Sequence, residues 1–234
     1  QAREPSASFS GGSYATTTAR LLLGDSAQSA DVLFAAEVND TDGYAPRIGI
    51  DNAVRIEQVL GVDASFAPTD VNTARHSFGA LVNLTAGKTR GLLRLSNWDD
   101  WGLGAGILGV VDPFGTRSAQ TLQARVARDF VLSEAFDATL TADFTEFTAD
   151  LDRVTWFPPS RFYPQGAVLS ASTKQSAWKV RLDARYLGLD RHILAFGAGF
   201  EDLRYRIEDA ELNYAVTPIG PLPAIPGFIA ADEL

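Results

Sequence analysis

The chain contains no cysteine, no methionine and only two histidines in 234 residues. Without cysteine there is no disulfide framework, no thiolate metal site and no cysteine nucleophile. Imidazole chemistry rests on His76 and His192 alone. No apolar run approaches the roughly 18 residues of a transmembrane helix, a criterion blind to membrane barrels, whose strands carry a much weaker signal. Positive charge is also short: 20 Lys and Arg against 29 Asp and Glu leave a net charge of −9, which disfavours a nucleic-acid surface. The chain begins at Gln1 and keeps no signal peptide to report export, so it reads as a processed or excised piece.

What is abundant is alternation. In FDATLTADFTEFTA (136–149) Phe136, Ala138, Leu140, Ala142 and Phe144 alternate with Asp137, Thr139, Thr141, Asp143 and Thr145. Period 2 puts one set on each face of a strand, and about ten such residues are what a tilted strand needs to cross a bilayer. The same pattern recurs in segments near 5–12, 16–23, 31–39, 76–85, 90–100, 117–128, 176–186 and 192–207. That makes about nine strands of an all-β, antiparallel fold. The stretch Gly24-Asp25-Ser26 reads as a break after the second strand, and Asn52 to Leu60 as a short helix inside a loop.

The connections alternate in length. Those after the second, fourth, sixth and eighth strands are short; those near 40–75, 99–116 and 150–173 are long, and 209–234 loses the pattern. In a meander this gathers the long loops at one end, as in outer-membrane barrels with short periplasmic turns and long external loops. Aromatics near strand ends (Trp98, Phe147, Trp178, Tyr186) suit interfacial girdles. In that topology Arg94, Arg125, Lys179, Arg181 and Arg185 face the lumen, and the external loops offer Trp101, Trp156, Phe157, Arg161 and Tyr163 as ligand contacts.

Other constellations read as structure. Asp40, Asp42, Asp51, Asp99 and Asp100 are oxygen donors of the type a hard cation takes, and equally solvated loop acids. Gly102 to Gly109 (GLGAGILG) imitates a phosphate loop, but no βαβ unit surrounds it. No nucleophile elbow or triad spacing is present, so the expectation is a non-enzyme with no catalytic residue, no metal and no cofactor.

Four stretches resemble the first part of the barrel of TonB-dependent outer-membrane receptors. FSGGSYATTTARLLLGD (9–25) resembles their first hairpin, and LFAAEVNDTDGY (33–44) their third strand entering an Asp-Gly-Tyr loop. VTWFPPSRFYPQG (154–166) is similar to a Pro-Pro-rich external loop, and LDRHILAFGAGFEDLRYRIED (189–209) to a turn and strand further along. The resemblance spans nearly the whole chain and implies one partial barrel domain, residues 1–234, of a barrel of roughly 22 strands. Neither the plug domain nor the energy-coupling box of such receptors is visible, and about nine strands cannot close such a barrel, so the expectation is the ordered part of a longer receptor, with completion by another chain as the alternative. The implied activity is energy-coupled uptake of a scarce solute, such as a siderophore–iron complex, across a Gram-negative outer membrane. The implied partners are membrane lipid, a TonB-type energy transducer acting through the plug, and a small-molecule or metal-chelate solute. A passive porin-like channel and a soluble or adhesive β-sandwich are the alternatives.

Overall fold

The computed structural model describes residues 4–27, 29–61, 65–106, 109–159, 163, 166–213, 216–217, 220–221 and 229–230. Nine long strands form a single antiparallel meander: β1 (Ser6–Gly11), β2 (Thr17–Ala27), β3 (Ala30–Thr41), β6 (Arg75–Ala86), β7 (Thr89–Ala105), β8 (Val111–Ser133), β9 (Phe136–Phe157), β10 (Ala167–Leu189) and β11 (His192–Leu212). The short strand β14 (Ile229–Ala230) pairs with the end of β11. Between β3 and β6 lie β4 (Arg47–Ile48), helix α1 (Asn52–Leu60) and β5 (Thr69–Asp70); β12 (Val216–Thr217) and β13 (Gly220–Pro221) pair with each other. Among the described residues the sheet is open, with β1 and β14 at its edges.

All nine alternating segments become strands, and every long strand pairs with its sequence neighbour. Two-residue turns close one end of the sheet, the last pairs being Ala27 with Ala30, Ala86 with Thr89, Ser133 with Phe136 and Leu189 with His192. Every longer connection therefore emerges at the other end.

Three stretches differ from the sequence reading. The connections near 99–116 and 150–173 are mostly strand: β7 and β8 run to Ala105 and from Val111, β9 and β10 to Phe157 and from Ala167. Glycine-rich and proline-flanked sequence concealed this, because pairing to a neighbour holds a strand that local propensity does not favour. Likewise β2 runs straight through Gly24-Asp25-Ser26, each residue paired across to β3.

Register sorts the side chains. Leu140 of β9 lies opposite Leu182 of β10, which lies opposite Ala198 of β11; Thr141 lies opposite Arg181, and Arg181 opposite Gly199. Following the pairs across the sheet, one face collects Leu21, Phe34, Val82, Leu93, Val126, Leu140, Val180 and Phe196. The other collects Arg20, Glu37, Asn83, Arg94, Arg125, Asp143, Lys179 and Glu201. Troughs of about 820 and 590 Å³ lie on the polar face, so that face is the concave one. On the apolar face Leu140 is 41% exposed, Phe196 55% and Phe200 68%. Complete burial of such a side chain is worth roughly 1.5–3 kcal/mol, and each forgoes the share of it that still faces water.

Larger side chains are buried at the long-loop end instead. Val110 and Ala53 are enclosed with Phe157 against them, and Tyr163 packs on Ala167. Polar groups knit this cap. Asp51, the N-cap of α1, accepts from the backbone N–H of Ala53 (2.9 Å) and Val54 (3.2 Å), and from Val111 N–H (2.8 Å). Gly61, at φ 64°, ends the helix in the left-handed region. Asp112 is fully buried and accepts from the N–H groups of Phe114 (3.1 Å), Gly115 (2.8 Å) and Thr155 (2.6 Å). Asn213 accepts from Val168 N–H (2.9 Å) and donates to Gly166 C=O (2.6 Å).

Asp112→Ala leaves those amides buried without an acceptor and should cost the cap roughly 2–4 kcal/mol. Hydrogen exchange checks this: protection should fall at Gly115 and Thr155 and hold at the centre of β9.

Candidate functional site

The concave face is a ladder of opposite charges. Arg185 of β10 makes a two-pronged contact with Asp137 of β9, both bonds 2.9 Å. Arg181 meets Asp183 at 2.7 Å, Lys179 meets Glu201 at 3.3 Å and Arg90 meets Asp129 at 2.8 Å. Arg125 pairs with Asp143, and Arg20 with Glu37. Most of these pairs form because register sets their β-carbons opposite or diagonal on one face, and Arg181–Asp183 because residues two apart on β10 share that face. They are largely exposed, so each adds at most about 1 kcal/mol. Their collective effect is a wettable wall that is locally neutral despite many charges.

All five basic residues expected on one face are on it. Arg125, Lys179, Arg181 and Arg185 carry carboxylate partners, whereas Arg94 has none among the described residues. The expected girdle divides. Trp178 and Tyr186 lie on the apolar face, and Trp178 packs against Phe144 with ring centroids 4.5 Å apart. Trp98, opposite Ser77, and Phe147, opposite Thr121, lie on the concave face instead, which odd or even position along their strands already dictates.

The ligand-contact candidates fall into two groups. Trp156 stacks on Phe157 (6.2 Å, 4°) and Phe157 on Tyr163 (5.6 Å, 7°), with Tyr163 buried on Ala167. Arg161 lies outside the described residues. Trp101 stands elsewhere, stacked face to face on Trp98 at 4.6 Å and 7°. Its indole Nε1–H donates to His76 C=O at 3.2 Å.

The glycines of 102–115 serve close packing. A Cβ on Gly106 would stand 2.5 Å from Thr155 O, and one on Gly115 would stand 2.4 Å from the Asp112 carboxylate. Three of the five candidate acids are occupied: Asp51 caps α1, Asp40 Oδ2 lies 2.9 Å from His76 Nδ1, and Asp99 accepts from Ser118 Oγ at 3.1 Å. Among the described residues no three His, Cys, Asp or Glu converge as a metal site. His76 and His192 begin near opposite ends of the sheet, at the start of β6 and of β11.

No family model, no curated protein and no solved structure matches this chain.

Burial raises the Tyr163 phenol above its ordinary pKa. An acid with a raised folded pKa stabilises the fold fully below its unfolded value, about 10, and loses that contribution as pH rises through the folded value. An alkaline titration of tyrosinate absorbance should therefore show a late-ionising component that is absent in Tyr163→Phe.

Proposed function

We propose that the chain is part of the wall of a Gram-negative outer-membrane β-barrel of the TonB-dependent receptor type, serving energy-coupled uptake of a scarce solute. The observation that carries this reading is the pairing of a wide, predominantly apolar face, in which Arg128 and the Asp202–Arg204 pair are charged exceptions, with a concave charged one over nine strands. An apolar face this wide needs an apolar environment, and hydrocarbon supplies it. A charged concave face needs water, and a barrel lumen supplies it. The gathering of two-residue turns at one end supports the same reading, with the short end periplasmic and the packed cap external. The loose likeness of residues 9–25, 33–44, 154–166 and 189–209 to TonB-dependent receptors selects the receptor over a passive channel.

In this reading the lipid holds the convex face, and Trp178 and Tyr186 sit at the two interfaces. The external cap captures the solute. The paired charges of the concave face present a hydrated surface to a plug domain and to the passing solute. An energy-transducing protein displaces the plug. The solute is a small molecule or metal chelate, and no covalent chemistry is involved.

Two outcomes test the reading. Leu140→Arg places a charge in hydrocarbon and should destabilise the protein by roughly 2–4 kcal/mol in a lipid refolding assay, with Thr141→Arg much milder. Equal costs would refute the assignment of faces. In cells carrying the complete protein, collapsing the proton-motive force should abolish solute accumulation against a gradient; accumulation that only equilibrates and ignores the uncoupler is the result of a passive channel.

A further inference from the structure

Most concave-face cations are answered by a carboxylate, but Arg75 and Arg117 are not, among the described residues. Both lie at the long-loop end beside the Trp98–Trp101 stack. The Arg75 guanidinium sits 5.2 Å from the Trp101 ring, and that of Arg117 sits 5.8 Å from each of the two rings.

The backbone is shaped to make this group. On β7 the chain takes three steps from Trp98 to Trp101, while β8 takes two from Ala119 to Arg117. This one-residue bulge reverses the alternation, so Trp101 joins Trp98 on the concave face instead of pointing to the apolar side. Asp100, inside the bulge, has φ 47°, an uncommon and costly backbone for a residue with a side chain. Ser118 Oγ holds the distortion by accepting from Asp100 N–H (3.2 Å) and donating to Asp99 (3.1 Å). The hydrogen bond from Trp101 to His76 C=O then pins the indole edge. Simple strand pairing would need none of this.

A guanidinium lying near an aromatic face keeps its N–H edge for other acceptors. Two such edges, in a chain of net charge −9, form a local positive site on a face where most other cations, Arg94 apart, are paired with a carboxylate. Trp98 is 37% exposed and offers ring surface beside them. Guanidinium edges select oxyanions, carboxylate and phosphate alike; indole surface selects planar groups, which favours a carboxylate conjugated to a ring over a tetrahedral phosphate.

We infer that Arg75, Arg117, Trp98 and Trp101 form a binding site for a small anionic solute carrying a carboxylate on a planar ring. This rests on the reading of the concave face as the solute-facing wall, and it assigns that solute a chemical class. Arg75 and Arg117 hold the oxyanion, Trp98 packs on the ring, and Trp101 fixes the arginines in place.

The test uses the full chain in detergent micelles with benzoate as probe and benzamide, its neutral isostere, as comparison, read by saturation-transfer NMR. Benzoate should bind at least about tenfold more tightly than benzamide. Arg75→Gln with Arg117→Gln should remove that preference. Arg94→Gln, on the same face about 13 Å along β7 from Trp98, should change it less than about twofold. The exciton signature of the stacked tryptophans in far-ultraviolet circular dichroism should survive both substitutions and so reports an intact fold. Equal binding of the two probes, no binding of benzoate, or an equal loss in Arg94→Gln overturns the site. Insertion into lipid is read separately. A protein that inserts without discriminating overturns the site alone, and one that never enters a bilayer overturns the reading beneath it.

Discussion

The constraint on which this structure depends is the pleat of a continuously paired antiparallel sheet. Once β9 is hydrogen-bonded to β8 and β10 along most of its length, every side chain is committed to one of two faces. A slip of one residue at any seam would carry charges such as Arg125 and Asp143 to the apolar side, and leucines such as Leu140 to the concave side. Nine strands share one parity, so many local preferences combine into two surfaces of opposite character. Each surface then needs its own medium, and this need carries the membrane reading.

The long-loop end follows a different rule. Here the backbone leaves regular pairing and its N–H groups need acceptors. Asp51, Asp112 and Asn213 supply them from buried or half-buried positions, tying α1, the β7–β8 tip, β9 and β10 into one cap. Glycine at 106 and 115 lets these pieces approach to distances that a Cβ would forbid. The cap is thus built from carboxylate and carboxamide side chains on backbone amides, at the long-loop end of the sheet.

On that wall, charge pairing and one deliberate irregularity divide the work. Paired residues such as Arg185 and Asp137 make the surface wettable without making it selective. The bulge at Asp100 does the opposite: it spends backbone strain to set two tryptophans and two unanswered arginines side by side. Selectivity is best built where a wall is otherwise neutral, because a local field is then not masked by its neighbours.

Much of this was legible in the residues themselves. Period-2 alternation marked all nine strands and sorted Leu93 from Arg94 and Leu140 from Thr141, and the stretch Asn52–Leu60 read separately as a short helix, since each depends only on near neighbours in sequence. What the residues did not show depends on partners distant in sequence. Strand pairing extends β7 through glycine-rich sequence and β9 toward Pro158, and Asp112 becomes buried because Thr155, far along the chain, presents its N–H to it. Trp98 and Trp101 differ by an odd number of residues and so read as opposite-facing. Only the mismatch between β7 and β8, a property of two strands together, turns them to the same side.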